Sequence, residues 1–126
     1  MTENFLVWGK ISSMTSRLKT MDKNGNIEPD LERQEIAKRK FIALVRFFLE
    51  NELLTVKNVT HDADIINFEF KKNDFTNDGL QLVRAKESSW LNSKASGKIP
   101  PNTKILSKAL AEIRGHSTHL RIISSE

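Results

Sequence analysis

The chain has 126 residues, a formal net charge of +4 and no cysteine. That length suits one hydrophobic core rather than two, and the lack of cysteine excludes disulfides, thiolate nucleophiles and thiolate zinc sites, so stability rests on packed apolar side chains. No run approaches the roughly 18 to 20 apolar residues that span a bilayer, and the opening MTENFLVWGKISS carries an acid where a signal peptide carries a base, which points to a cytoplasmic protein with no membrane partner.

Charge is unevenly spread. Residues 1–21 sum to +2, residues 22–78 to −3 and residues 79–126 to +5. The basic ends suit phosphate, but lysines dispersed over helical faces serve solubility, and the acidic middle argues against direct binding of nucleic acid.

In chain order, Val7, Ile11, Met14, Leu18 and Met21 recur at spacings of four and three, the stripe of an amphipathic helix that Thr2 can cap. DKNGNIEPD, Asp22 to Asp30, gathers turn formers and a proline and ends that helix. After Pro29 the chain runs to Leu54 without glycine or proline, and Phe41, Leu44, Val45 and Phe48 share a face, with Ile42 and Leu49 widening it. This is expected to be the most buried helix, with Asp30, Glu32 and Glu35 at its start, where the helix dipole favours acids. Between Thr55 and Lys72 the period changes to two. Ile66, Phe68 and Phe70 alternate with Asn67, Glu69 and Lys71, and THDAD is placed to join two extended runs as a hairpin.

DFTNDGL then reads as a helix start, with Thr76 as N-cap and Phe75 and Leu80 at the positions of a hydrophobic staple. Leu80, Val83, Trp90 and Leu91 form the face of that helix. SGKIPPN breaks it, and TKILSKALAEIRG supplies another through Ile105, Leu106, Ala109, Leu110 and Ile113, with Gly115 suited to end it. The expected fold is mainly α: a compact bundle of about four helices with a short extended or β-hairpin insertion near residues 55–72. The helical domain covers residues 1–115, and residues 116–126 form a tail that frays or adds a short strand.

Catalytic and metal chemistry find little purchase. Asp74, Thr76, Asp78 and Gly79 match the first positions of a calcium loop, but Ala85 stands where the bidentate glutamate is needed. Asp22, Asn24 and Asn26 fail similarly, with Ile27 for the glycine and Arg33 for the glutamate. His116 and His119 are three apart without a third ligand, and His61 stands beside Asp62 and Asp64 in HDAD. There is no nucleophile elbow, P-loop or dinucleotide-binding glycine motif. No catalytic residue, metal or cofactor is expected, and the candidate partner-binding residues are the acids Glu28, Asp30, Glu32, Glu35, Asp62, Asp64, Glu69, Asp74 and Asp78. If they converge, their field attracts a cationic partner.

The stretch from Phe68 to Arg114 carries a resemblance. Asp74, Phe75, Thr76, Gly79 and Leu80 open a helix, Trp90 and Leu91 close it, Gly97 lies in a polar linker, and Thr103, Leu106, Lys108, Leu110 and Arg114 follow. This pattern resembles immunity proteins of contact-dependent growth inhibition and related polymorphic toxin systems. The resemblance implies a bacterial cytoplasmic protein that binds the C-terminal domain of its cognate toxin, often a nuclease and sometimes a tRNA-cleaving one, and blocks its active site or substrate access. Immunity proteins against nucleases are commonly acidic whereas this chain is basic, so either its acidic centre faces a basic toxin or the toxin is of another class. No functional residue carries over, because these families share no catalytic motif. Two alternatives remain: a winged-helix nucleic-acid-binding regulator, with residues 55–72 as the wing, and an adaptor that uses Trp8 or an apolar helical face.

Overall fold

A computed structural model describes residues 7–56 and 58–125, with side chains as far as residue 115. The fold is mainly α, as the sequence predicts. Its elements are α1 (Ile11–Thr15), a hairpin of β1 (Lys19–Met21) and β2 (Ile27–Pro29), α2 (Leu31–Glu50), α3 (Asp62–Asn67), α4 (Asn77–Leu91) and α5 (Lys104–Ser125). Short 3₁₀ turns at Lys72–Asp74 and Ala95–Gly97 precede α4 and follow it.

The first helix is much shorter than its apolar stripe. Val7 donates its N–H to a carboxylate oxygen of Glu87 (3.1 Å), and the Gly9 carbonyl accepts from the Phe70 N–H (3.1 Å), so backbone groups that a helix needs internally are tied to other segments. Val7 and Ile11 still reach the core, with Met14 packed against it, but Leu18 precedes a strand and Met21 lies in one. DKNGNI is the turn of the hairpin. Asp22 accepts from the N–H groups of Asn24 and Asn26 (2.9 Å each), and Gly25 takes the left-handed conformation (φ 84°) that glycine adopts without steric cost. Thr2, the proposed cap, lies outside the described residues.

The hairpin expected near residues 55–72 is therefore elsewhere, at residues 19–29, and the 55–72 segment contains α3. The local reason is a cap: Asp64 accepts from the N–H groups of His61 (3.1 Å) and Thr60 (3.3 Å), satisfying donors at the helix start. Ile65 anchors α3 in the core. Beyond it Phe68 is extended, and the two-residue alternation does put Phe68 and Phe70 in contact, at 4.6 Å between ring centroids. Among the described residues no strand pairs with them, so this stretch is extended without being part of a sheet. The winged-helix alternative loses its structural premise here, since the segment assigned to the wing is partly helical.

Helix α2 begins at Asp30, whose carboxylate accepts from the Arg33 N–H (3.0 Å). Its C-terminal half supplies Phe41, Leu44, Val45, Phe47 and Phe48 to the core, whereas none of residues 31–40 is buried. The helix closes with Glu52 in the left-handed region (φ 58°), Glu52 N–H to Leu49 O (3.2 Å) and Leu53 N–H to Phe48 O (2.8 Å), a Schellman arrangement. Leu53 then crosses the start of α4. Its carbonyl accepts from the Thr76 N–H (2.9 Å) and hydroxyl (3.2 Å), Leu54 pairs with Phe75, and Thr76 caps α4 through the Gly79 N–H (3.1 Å), as its sequence position predicts. A Cβ on Gly79 would stand 2.6 Å from the Leu53 oxygen. That crossing explains the glycine.

The core is a continuous apolar cluster with Phe41, Phe48, Phe70 and Phe75 at its centre, their rings linked at 5.6 to 6.3 Å. Trp90 is fully buried and donates its indole N–H to the Asn102 carbonyl (2.8 Å), fastening the linker between α4 and α5. Leu106, Ala109 and Leu110 close the cluster. The α5 backbone stays helical through Gly115 to Ser125, so residues 116–125 continue a helix in place of the frayed tail or strand expected there. The side chains of His116 and His119 lie outside the described residues.

Two substitutions test this account in opposite directions. Gly79→Ala is expected to lower unfolding stability by about 2 to 3 kcal/mol, because the new methyl must displace a carbonyl that holds two hydrogen bonds. Glu52→Gly is expected to raise it by about 1 kcal/mol through relief of the left-handed conformation. Urea denaturation with unchanged m-values measures both.

Candidate partner-binding surface

The nine acids do not converge. Helix α2 is about 30 Å long and separates them. Glu28, Asp30, Glu32 and Glu35 lie at its N-terminal end, whereas Asp62 is held by Arg46 in its second half, and Asp78 is linked through Arg114 to its C-terminus.

Most of the second group already has structural work. Asp62 accepts from two nitrogens of the Arg46 guanidinium, with Nε at 2.8 Å. Asp64 caps α3, and Asp74 caps the turn before α4 by accepting from the Lys71 N–H (2.8 Å). Asp78 lies in the first turn of α4, 3.7 Å from Arg114 Nε, and Arg114 also donates to the Asn51 carbonyl at the end of α2. A cation at one helix C-terminus and an acid at another N-terminus are each favoured by the dipoles they face. Glu69 is exposed in the loop after α3.

At the N-terminal end of α2 only Asp30 has a structural task, as cap and partner of Arg33. Glu28, Glu32 and Glu35 are exposed, and their carboxylates make no hydrogen bond or ion pair among the described residues. Glu32, Glu35, Ile36 and Arg39 share one side of the helix by their spacing. With Gly97 and Ile99 of the α4–α5 linker they line a groove of about 470 Å³. Ile36 and Lys40 also border a second groove, of about 350 Å³, reaching Leu18 and Leu91. The apolar residues here are wet: Leu31 is 72% exposed, Ile36 37% and Ile99 80%.

Four hydrogen bonds hold the walls. The Leu18 carbonyl accepts from the Asp30 N–H (2.9 Å) and the Gln34 amide (3.2 Å), fixing the hairpin to α2. The Leu91 carbonyl accepts from Lys40 Nζ (3.3 Å) and the Ser96 hydroxyl (2.9 Å), fixing the linker. Two carboxylates without ion pairs among the described residues, Glu32 and Glu35, thus stand beside the unburied Ile36 and Ile99 and the bases Arg39 and Lys40 on a braced scaffold.

No family model matches the chain, and no curated protein or solved structure matches it. Among the described residues, no helix is long and apolar enough to cross a membrane, and no three metal-ligating side chains gather at one place. Asp22, the first residue of one supposed calcium loop, spends its carboxylate on its own turn.

Sequence reasoning missed Glu87. It is buried on α4 and receives the Val7 N–H, and no spacing rule marks an acid within an amphipathic run as internal. It also missed Ile99, which sat in a segment read only as a helix breaker. Trp8, proposed as an adaptor residue, is partly buried against the core, with the Lys72 ammonium 6.0 Å from its ring centroid.

Two carboxylates offer a pH test. The Asn26 N–H foremost holds the Asp22 carboxyl below its ordinary value of 3.8, and the His61 N–H foremost does the same for Asp64. Each folded value lies below the unfolded one, so each contribution is full above about pH 4 and is lost as pH falls through the folded value. NMR titration is expected to show both titrating below 3.8, with the hairpin turn and the start of α3 loosening in step.

Proposed function

We propose that this protein is a non-catalytic immunity protein that binds a cationic toxin domain through the surface at the start of α2. The observation that carries the reading is the groove flanked by Glu32 and Glu35 beside the exposed Ile36 and Ile99: charges and apolar area that the fold itself does not use. The identity of the partner rests on the resemblance of the Phe68–Arg114 stretch to immunity proteins of contact-dependent growth inhibition. In that stretch Thr76 is a cap, Gly79 allows a crossing, Trp90, Leu106 and Leu110 are core and Arg114 joins helix ends, so the resembling residues describe a scaffold and leave recognition to the surface before it.

A nuclease toxin, including a tRNA-cleaving one, must attract a polyanion, and its substrate cleft is therefore basic. Glu28, Glu32 and Glu35 would meet that cleft with carboxylates in place of phosphates, while Ile36 and Ile99 exclude water around them and supply the buried centre of the interface. Inhibition follows by occupation of the cleft, with no chemical step required of this chain. Under this reading the protein acts in the cytoplasm, where its toxin would act.

Coexpression with the toxin domain encoded beside it is expected to yield a co-purifying complex and protected cells; failure of both would overturn the reading. Within such a complex, Glu32→Lys with Glu35→Lys is expected to weaken binding by about a hundredfold or more, mainly by like-charge repulsion. Asp62→Lys, at the other end of α2, is expected to leave affinity unchanged. Isothermal titration of the three proteins separates these outcomes.

A further inference from the structure

The hairpin carries a second surface, independent of the proposed acidic one. Two hydrogen bonds, Asp22 N–H to Asn26 O and Asp30 N–H to Leu18 O, each 2.9 Å, mark pairs 22/26 and 18/30 as bonded rungs of its ladder. Such rungs recur at every second residue of an antiparallel pair, so Thr20/Glu28 is the rung between them, and Lys19/Pro29 and Met21/Ile27 are non-hydrogen-bonded pairs. The N–H and C=O groups of Lys19 and Met21 thus point away from β2, along an edge where no described group bonds them. The edge on the other side is blunted, because Pro29 has no N–H to offer.

Side-chain chemistry distinguishes this edge further. Lys19, Met21, Ile27 and Pro29 share a face by the two-residue period, and Met21 lies directly opposite Ile27. Among the described residues the pair is largely uncovered: Met21 is 66% exposed and Ile27 72%. Arg17, Lys19 and Lys23 are exposed along the β1 side, without ion pairs among the described residues. Asp22 is the acid among them, and its carboxylate is turned into the hairpin turn.

We propose that the outer edge of β1 docks an extended acidic segment of another protein, which adds to the hairpin as a third strand. Four backbone groups of Lys19 and Met21 supply the ladder, an apolar side chain of the partner covers Met21 and Ile27, and its carboxylates meet Arg17, Lys19 and Lys23. A two-stranded hairpin is marginal by itself, and a third strand stabilises it. A second copy of this chain could satisfy the same backbone groups in an antiparallel pairing centred on Thr20. That pairing doubles the cations at the seam, which an acidic strand neutralises.

The test uses the full chain and a labelled peptide, Glu-Thr-Val-Thr-Glu-Thr-Glu, which in antiparallel register sets valine opposite Met21 and glutamates opposite Lys23, Lys19 and Arg17. The control peptide has lysine at the three glutamate positions. Fluorescence polarisation is expected to show the acidic peptide binding more tightly by about tenfold or more, with the Lys19 and Met21 amides shifting in NMR spectra. Met21→Pro removes an outward donor without touching a rung of the hairpin, and is expected to weaken binding by about tenfold with the thermal midpoint unchanged. Lys19→Glu keeps the backbone intact and is expected to weaken it comparably, which preserves the test if the proline variant fails to fold. No binding, equal binding of the lysine peptide, or unchanged affinity in the variant that folds would overturn the proposal. So would a dimer in sedimentation that Met21→Pro or Lys19→Glu dissociates, since that assigns the edge to a second copy. None of these outcomes depends on the toxin or on Glu32 and Glu35.

Discussion

The carbonyl of Leu53 lying over Gly79 is the constraint on which the rest of the arrangement depends. It lets the end of α2 and the start of α4 pass at backbone contact, with Thr76 bonded to the carbonyl through both N–H and hydroxyl while capping its own helix. Any side chain at Gly79 would fill that space. Around the crossing sit the Schellman closure of α2, the Leu54–Phe75 bridge and Arg114, which ties the α2 terminus to Asp78. Polar groups at two helix ends are thereby satisfied at one junction, where leaving them unmet would cost about 1 to 3 kcal/mol each if buried.

This junction divides α2 into halves with different duties. The C-terminal half faces the aromatic cluster and holds the fold. The N-terminal half carries no buried residue and extends past the core, braced from one side by the Leu18 carbonyl and from the other by Lys40 on the Leu91 carbonyl. Glu32 and Glu35, placed there, form no ion pair among the described residues, in contrast to Asp62 and Asp78, which pair with arginines, and Asp64 and Asp74, which cap helical turns. Under the proposed function, these hydrogen bonds would lower the cost of ordering that surface around a partner.

How legible this was in the sequence depended on whether the deciding interaction was local. The Thr76 cap, the buried face of α2 from Phe41 to Phe48 and the buried Trp90 follow from spacing and helix-end chemistry within a few residues, and all are found. The Val7–Met21 stripe misled because Glu87 and Phe70, far away in sequence, claim the backbone of Val7 and Gly9. The strand near residues 66–70 misled because alternation reports an extended chain and cannot report whether a neighbour exists to pair with it. For the surface, residue type identified nine acids, but only geometry separates those used as caps and ion pairs from Glu28, Glu32 and Glu35. Ile99 had no signal at all, since an isoleucine between glycine and prolines looks the same buried or exposed.

The junction holds the fold, whereas the hairpin and the start of α2 bury no residue in the core. Native-state hydrogen exchange measures this division most directly. The account predicts that the amides of Leu53, Thr76 and Leu80 exchange only through global unfolding, while those of Thr20, Asp22 and Glu28 exchange through local opening at a clearly smaller free energy. Hairpin amides as strongly protected as the Leu53–Gly79 junction would contradict it.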